Sequence, residues 1–299
     1  MLSCGSGVEP QLVPEPIVTR FIATLCCLSS LTLSAADLST QRADKPPSLG
    51  PNPGEAWENS LGMKFVPVPG TNVLFCIWET RVQDFEAFVK ATSHDAGAGW
   101  RDPENGYIAG FSQTPLHPVV NVSSNDAGAF CRWLTEKERA AKTLSAGQEF
   151  RLPTDAEWSL AVGLPAESGA TPEDNSEKIA NVYPWGTGHP PPAGSGNYSG
   201  EEDGWSAALD GYTDGARFTA RVGSYTANRL GIHDLGGNVW EWCGDWYNAQ
   251  REARVIRGAS FNQSTPRFLL SSQRSGKPPG VREANLGFRC VVTVGAPSP

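Results

Sequence analysis

The 299-residue sequence predicts one α+β domain of short strands and helices joined by long loops. Three observations predict it. Glycine (32) and proline (24) are plentiful and tryptophan reaches 10, a composition that favours turns and short elements over long helices. Strand-like segments occur beside only three helical ones. The stretch 231–247, GIHDLGGNVWEWCGDWY, sets a Gly-Gly-Asn turn, three tryptophans and three carboxylates close together. Its glycines permit backbone angles that other residues avoid, so it reads as neither a smooth helix nor a smooth strand. Carboxylates among large rings need compensation, from a bound cation or an arginine.

Hydrophobic residues make up 39% and charged ones 19%, as in soluble globular proteins. A net charge of -8 without a basic cluster gives no expectation of a nucleic-acid partner. Residues 1–36 read as a signal peptide. Thr19-Arg20 precedes an apolar run from Phe21 to Leu33, and Ser34-Ala35-Ala36 forms a small-residue exit. The run is too short to span a bilayer as a mature helix, so a secreted or periplasmic protein without a transmembrane domain is expected. Glu9 and Glu15 lie in an n-region longer than usual, which points to a true start near Val18. Residues 37–55, with Pro46-Pro47 and Pro51-Asn52-Pro53, read as a flexible linker. Residues 56–299 form the expected domain, a monomer.

In order, residues 63–68 and 73–77 have strand character around the turn Pro69-Gly70-Thr71-Asn72. Residues 82–92 look helical, with Phe85, Phe88 and Val89 on one face. Residues 124–142 make the strongest helix, because Ala127, Phe130, Cys131 and Leu134 fall at i, i+3, i+4 and i+7. Thr154-Asp155-Ala156-Glu157 reads as a capping box opening a third helix. Residues 164–231 are nearly all loop signals, which is unusual inside a compact domain unless something holds them. Residues 255–257 and 287–291 look like closing strands.

Chemistry-bearing residues are sparse. His94, His117, His189 and His233 lack metal-ligand spacing with one another, and His117, in a turn before a helix, reads as structural. There is no HExxH, phosphate loop or GxSxG. Beyond residue 36 four cysteines remain, Cys76, Cys131, Cys243 and Cys290, with three possible connectivities.

Eight motifs now stand in a recognisable order: NSLGMKF at 59–65, WETRV at 78–82, HPVVNVS at 117–123, FRLPTDAEW at 150–158, YPWG at 183–186, GNVWEW at 237–242, RGASF at 257–261 and NLGFRC at 285–290. Together they resemble the formylglycine-generating enzyme, or sulfatase-modifying factor, family over most of the domain. The resemblance implies a C-type-lectin-like α+β fold with loops pinned by calcium. Calcium takes six to eight hard oxygen ligands, roughly, from carboxylates, amides and carbonyls. One implied site uses the side chains of Asp234 and Glu241 with the carbonyls of Gly237 and Val239. The second uses the side chains of Asn197 and Asp210 with the carbonyls of Tyr198 and Tyr212. An alternative for Asp234 and Glu241 is helix capping or pairing with arginine. The resemblance also implies a Cys131–Cys290 disulfide. Val162 occupies one position of the family's second bridge, which leaves Cys76 and Cys243 either paired or as two buried thiols.

The implied chemistry breaks down at one point. Sulfatase-activating members hold copper(I) with two thiolates just beyond the segment that is 258–260 here, and copper(I) prefers such soft ligands. Gln263 stands at the first position and Pro266 or Phe268 at the second. Copper is therefore not expected, and of the family groove Ser260 and Arg274 remain, Ser260 as a hydrogen-bonding serine without a base. Three readings follow: a non-copper family enzyme acting on an extracytoplasmic polypeptide or thiol substrate; a lectin-like module binding polypeptide or glycan through Ser260, Phe261, Arg267 and Arg274; and, ranked last, a sulfatase activator using Cys243 or Cys76.

Overall fold

The computed structural model describes residues 50–103 and 110–295. The signal-peptide reading and most of the linker lie outside them. The linker's end is not loose, because Pro51 is buried and its carbonyl accepts from Gln148 Nε2 at 2.7 Å.

In chain order the elements are β1 (Trp57–Glu58), β2 (Lys64–Pro67), β3 (Val73–Cys76), α1 (Val82–Thr92), α2 (Ser124–Ala140), β4 (Phe150–Arg151), α3 (Asp155–Val162), α4 (Pro172–Asn175), β5 (Val182–Tyr183), β6 (Gly186–Thr187), β7 (Trp240–Trp246), β8 (Arg254–Arg257), β9 (Ser275–Lys277), β10 (Leu286–Gly287) and β11 (Val291–Thr293). The helices begin where their side chains satisfy orphan amides. Asp84 accepts from the Arg81 amide at 3.1 Å and its Nε at 2.8 Å, opening α1. Ser123 Oγ accepts from the Asp126 amide at 3.1 Å while Asp126 accepts from the Ser123 amide at 2.8 Å, a reciprocal box. Thr154 and Glu157 repeat the device at α3, at 3.1 and 2.8 Å. Gly163, at φ 92°, ends α3 in the left-handed region that glycine tolerates.

The first sheet runs β1-β2-β3-β11-β4 and the second β10-β7-β8-β9, with β5-β6 as a short hairpin. In the second, β10 lies parallel to β7 and a bulge interrupts the β7–β8 register between Trp242 and Trp246. The stretch expected to be irregular thus contains a bulged strand. The predicted closing strand at 287–291 divides into β10 and β11, each in a different sheet. Residues 164–231 are loop apart from α4, β5, β6 and a 3-10 turn at Glu201–Asp203.

The larger core cluster packs α1 and α2 on the first sheet. Phe85, Phe88, Phe130, Trp100 and Phe288 meet there, with ring centroids 5.4 to 6.4 Å apart, spacings at which aromatic pairs attract beyond their buried area. A second cluster sets Trp158, Val255, Cys243 and Leu235 on the sheet's other side chains, Phe75 and Val291. No helix among the described residues is long and apolar enough to cross a membrane.

Candidate functional site

Asn238 sits at the centre of the tryptophan-rich turn, with φ 56° and no solvent exposure. Its Oδ1 accepts from the Ala220 amide at 2.9 Å and from Asn197 Nδ2 at 3.2 Å, and its Nδ2 donates to Glu79 Oε1 at 3.1 Å. Its amide donates to the Asn197 carbonyl at 2.8 Å, and its own carbonyl accepts from the Phe261 amide at 2.9 Å. One residue therefore ties three things together, through its side chain and its backbone: the long loop, the turn after Gly231 and the segment after Gly258. Gly237, at φ 81°, has no room for more, because a Cβ there would lie 2.3 Å from the Asn197 carbonyl oxygen.

The two implied calcium sets divide on inspection. Glu241 is fully buried and its carboxylate is held by Arg289, with Oε1 2.6 Å from Nη2 and Oε2 2.7 Å from Nε. Trp158 Nε1 adds a third donor at 3.3 Å. Its side chain is thus taken by arginine, the alternative the sequence left open, and is corrected as a ligand. Asp234 differs: Oδ2 accepts from the Gly223 amide at 2.7 Å, while Oδ1 is buried without a partner. In the second set Asn197 Oδ1 is likewise buried and unpartnered. Asp210 is exposed, and the Tyr212 carbonyl already accepts from the Glu201 amide at 2.9 Å. The carboxylate beside Tyr198 is Asp214, whose Oδ2 accepts from the Tyr198 amide at 2.8 Å. Burial pushes Asp214 up to about 7, against hydrogen bonds from the Tyr198 and Ala216 amides. Such a group lacks a counter-charge. Asp214 replaces Asp210 as the fitting residue; sequence spacing missed it because both precede a glycine in one loop. Asp234, on the turn with the Gly237 and Val239 carbonyls, and Asn197, in the long loop beside Asp214, therefore each leave a buried oxygen free for a hard cation, as two separate positions. Among the described residues no cluster of three or more His, Cys, Asp or Glu side chains is set for a metal, so such a site depends on amide and carbonyl oxygens.

The groove positions are not brought together. Ser260 is buried and its Oγ donates to Asn262 Oδ1 at 2.7 Å, with Asn285 Nδ2 3.3 Å away. Gln263 is half-buried, and its carbonyl accepts from the Ser199 amide at 3.0 Å. Phe268 is half-buried under the guanidinium of exposed Arg267, 4.5 Å from its ring centre. Arg274 is corrected outright. It is buried, with Nη1 2.6 Å and Nη2 2.5 Å from the Glu167 carboxylate and Nε 3.1 Å from Asp155. Arg257 also binds Asp155 and lies 4.3 Å over the Trp158 ring. The four charges pin the long loop to α3 and β8. What faces outward beside Phe261 is a stacked pair, Phe111 and Phe218, half-buried with centroids 4.6 Å apart.

One arrangement was not legible as chemistry. Thr219 Oγ1 lies 3.0 Å from His117 Nδ1 and accepts from Gln113 Nε2 at 2.9 Å. With that donor on one side, the hydroxyl proton is free to point at the imidazole. Burial, and then Arg221, lower the pKa of His117, so the ring is neutral and can accept. His233 Nδ1 instead meets the Tyr225 carbonyl at 2.8 Å. All four described cysteines are buried free thiols, with Cys131 and Cys290 in one core cluster. Cys76 shares their cluster, whereas Cys243 lies in the other.

The domain family described as sulfatase-modifying factor enzyme 1-like matches residues 73–294. The formylglycine-generating enzyme of Streptomyces coelicolor is 34% identical over 215 residues, 65% of this chain and 58% of that protein. A Mus musculus protein named inactive C-alpha-formylglycine-generating enzyme 2 is 34% identical over 206 residues, 67% of this chain and 56% of that one. The chain thus spans little more than half the length of these relatives. The solved structure of PvdO from Pseudomonas aeruginosa has the same fold at TM-score 0.58 and 20% identity, covering 82% of this chain and all of that one.

Proposed function

The chain belongs to the sulfatase-modifying-factor family, and from that premise we propose that it recognises an extracytoplasmic polypeptide without copper-dependent oxidation. The observation that carries this reading is the chemistry after Gly258. Gln263, and Pro266 or Phe268, stand where the resemblance places the thiolates of the activating members, and neither an amide nor a proline or phenyl ring can hold copper(I). The described thiols are buried in the two core clusters instead. Ser260 is spent on Asn262, and Arg274 on two buried carboxylates. Phe111, Phe218 and Phe268 offer apolar contact, and Gln263 and Arg267 polar contact, for a peptide. The likeness to a relative named inactive is consistent with this. The apolar run before residue 36 supports export. Calcium would be held by Asp234 on the turn and, separately, by Asn197 with Asp214 in the long loop, where it would supply only counter-charge.

A peptide library passed over the protein tests this, with captured peptides weighed before and after incubation. Affinity without mass change is expected. Stoichiometric copper(I) bound in native mass spectrometry, with cysteine peptides losing sulfur, would overturn it. A second reading, a non-copper modifying enzyme, is favoured by the Thr219–His117 pair, a hydroxyl within reach of a neutral imidazole. It expects a covalent peptide adduct that disappears in Thr219→Val.

A further inference from the structure

Three thiols meet in one place. Val291 faces Phe75 and Val292 faces Leu74, so the next rung sets Cys290 opposite Cys76. The Cys76 amide donates to the Cys290 carbonyl at 3.1 Å. Facing Cα atoms of such a hydrogen-bonded rung lie about 5.5 Å apart, inside the roughly 4.4–6.8 Å that a disulfide spans. Residues opposite each other on adjacent strands also present their side chains on one face. On the other side, the Cys290 thiol packs in the same cluster as Cys131 of α2, close enough for Cys131 to help push its pKa up. Cys243 lies in a different cluster.

The three differ in access. Cys76 and Cys290 have no solvent exposure. Cys131 is only 2% exposed but lines a cleft of about 700 Å³ together with Arg132, Phe150, Arg151, Asp245 and Arg254. The rim carries charges of both signs, so it admits a small neutral reagent as readily as a charged one. Burial pushes the Cys76 thiol up to about 12 and the Cys290 thiol well above its ordinary range, so both thiolates are scarce and react slowly.

We propose that Cys131, Cys290 and Cys76 form a thiol–disulfide relay, reached from this cleft by a low-molecular-weight disulfide, in which Cys76 is the alternative partner of Cys290. The Cys131 thiolate attacks one sulfur of the small disulfide, forming a mixed disulfide and releasing one small thiolate. The Cys290 thiolate then attacks Cys131 Sγ, forming Cys131–Cys290 and releasing the second. The Cys76 thiolate attacks Cys290 Sγ, forming Cys76–Cys290 and returning Cys131 to the cleft as a thiolate, which takes up a proton. Two electrons pass from the protein to the small disulfide, which ends as two thiols, and the last step transfers none.

The test treats the full chain with 2-hydroxyethyl disulfide, quenches in acid, alkylates and maps the bridges by mass spectrometry. Wild-type protein is expected to show two bridged species, Cys131–Cys290 and Cys76–Cys290. Cys76→Ala is expected to retain only the first. In Cys131→Ser, loss of alkylatable Cys290 should slow about tenfold or more, since the thiol that lines the cleft is gone. Cys243 stays protected from native-state alkylation in every variant that folds, which separates chemistry from misfolding. A wild-type map with Cys76 fully alkylated, with Cys76 joined to Cys243, or with no bridge at all overturns the relay.

Discussion

At the scale of single residues, the Arg289–Glu241 pair has the largest consequence. Both side chains are fully buried, and Arg289 also donates to the carbonyls of Cys76, His233 and Asp234 at 3.0 to 3.2 Å. Arg289→Met leaves a carboxylate without its partner in the core, which costs about 3–5 kcal/mol. Urea unfolding should show that loss, and adding Glu241→Leu to Arg289→Met should recover part of it. Gly237→Ala fails for a different reason. It sets a Cβ in a left-handed backbone and 2.3 Å from the Asn197 carbonyl oxygen. A loss of about 1–3 kcal/mol is expected in the same measurement. Glycine in GGNVWEW is thus readable from sequence as a special backbone position, but which atom it makes room for is not.

At the scale of elements, the sequence was most legible where structure is local. Helix α1 spans the residues its periodicity marks out, and Thr154 and Glu157 do what their spacing says. Legibility fails where a partner is distant. Arg274 looks like a groove residue until Asp155 and Glu167, 119 and 107 positions away, draw it into the core. Strand β7 was hidden because its glycine and rings obscure alternation, and because it is fixed by β10 and β8 rather than by its own pattern. The opening of α2 gives a pH test. Burial alone would raise Asp126, but hydrogen bonds from Arg282, Ser123 and His94 outweigh it and hold the carboxyl at about 2. The unfolded value is about 4. The folded value is lower, so this stabilisation is present above pH ~4 and is lost as pH falls through 2. Asp126→Asn should flatten the stability profile across that window in denaturant titrations at successive pH values.

At the scale of the whole molecule, the long loop needs a fastener beyond hydrogen bonds. Asn197 and Asp234 each leave a buried oxygen unpartnered, and Asp214 is pushed up to about 7 by burial. Calcium in excess should raise the melting temperature by several degrees, since saturation at a hundredfold over Kd contributes about 2.7 kcal/mol. Asp214→Ala should reduce that rise and Asp210→Ala should not. Equal responses of the two variants in a thermal melt would reject the assignment.

The position of β11 has its own consequence for how the molecule comes into being. This strand lies between β3 and β4 and pairs with both, yet it is made from the final stretch of the domain, more than two hundred residues after Phe75. Neither neighbour has its central partner until that stretch is available. Loop closure over such a span is slow, whereas β1, β2 and β3 pair within a short local stretch and can form early. The joining of β4 to the first sheet waits for residues 291–293, and until then the apolar faces of α1 and α2 lack part of the surface they pack on.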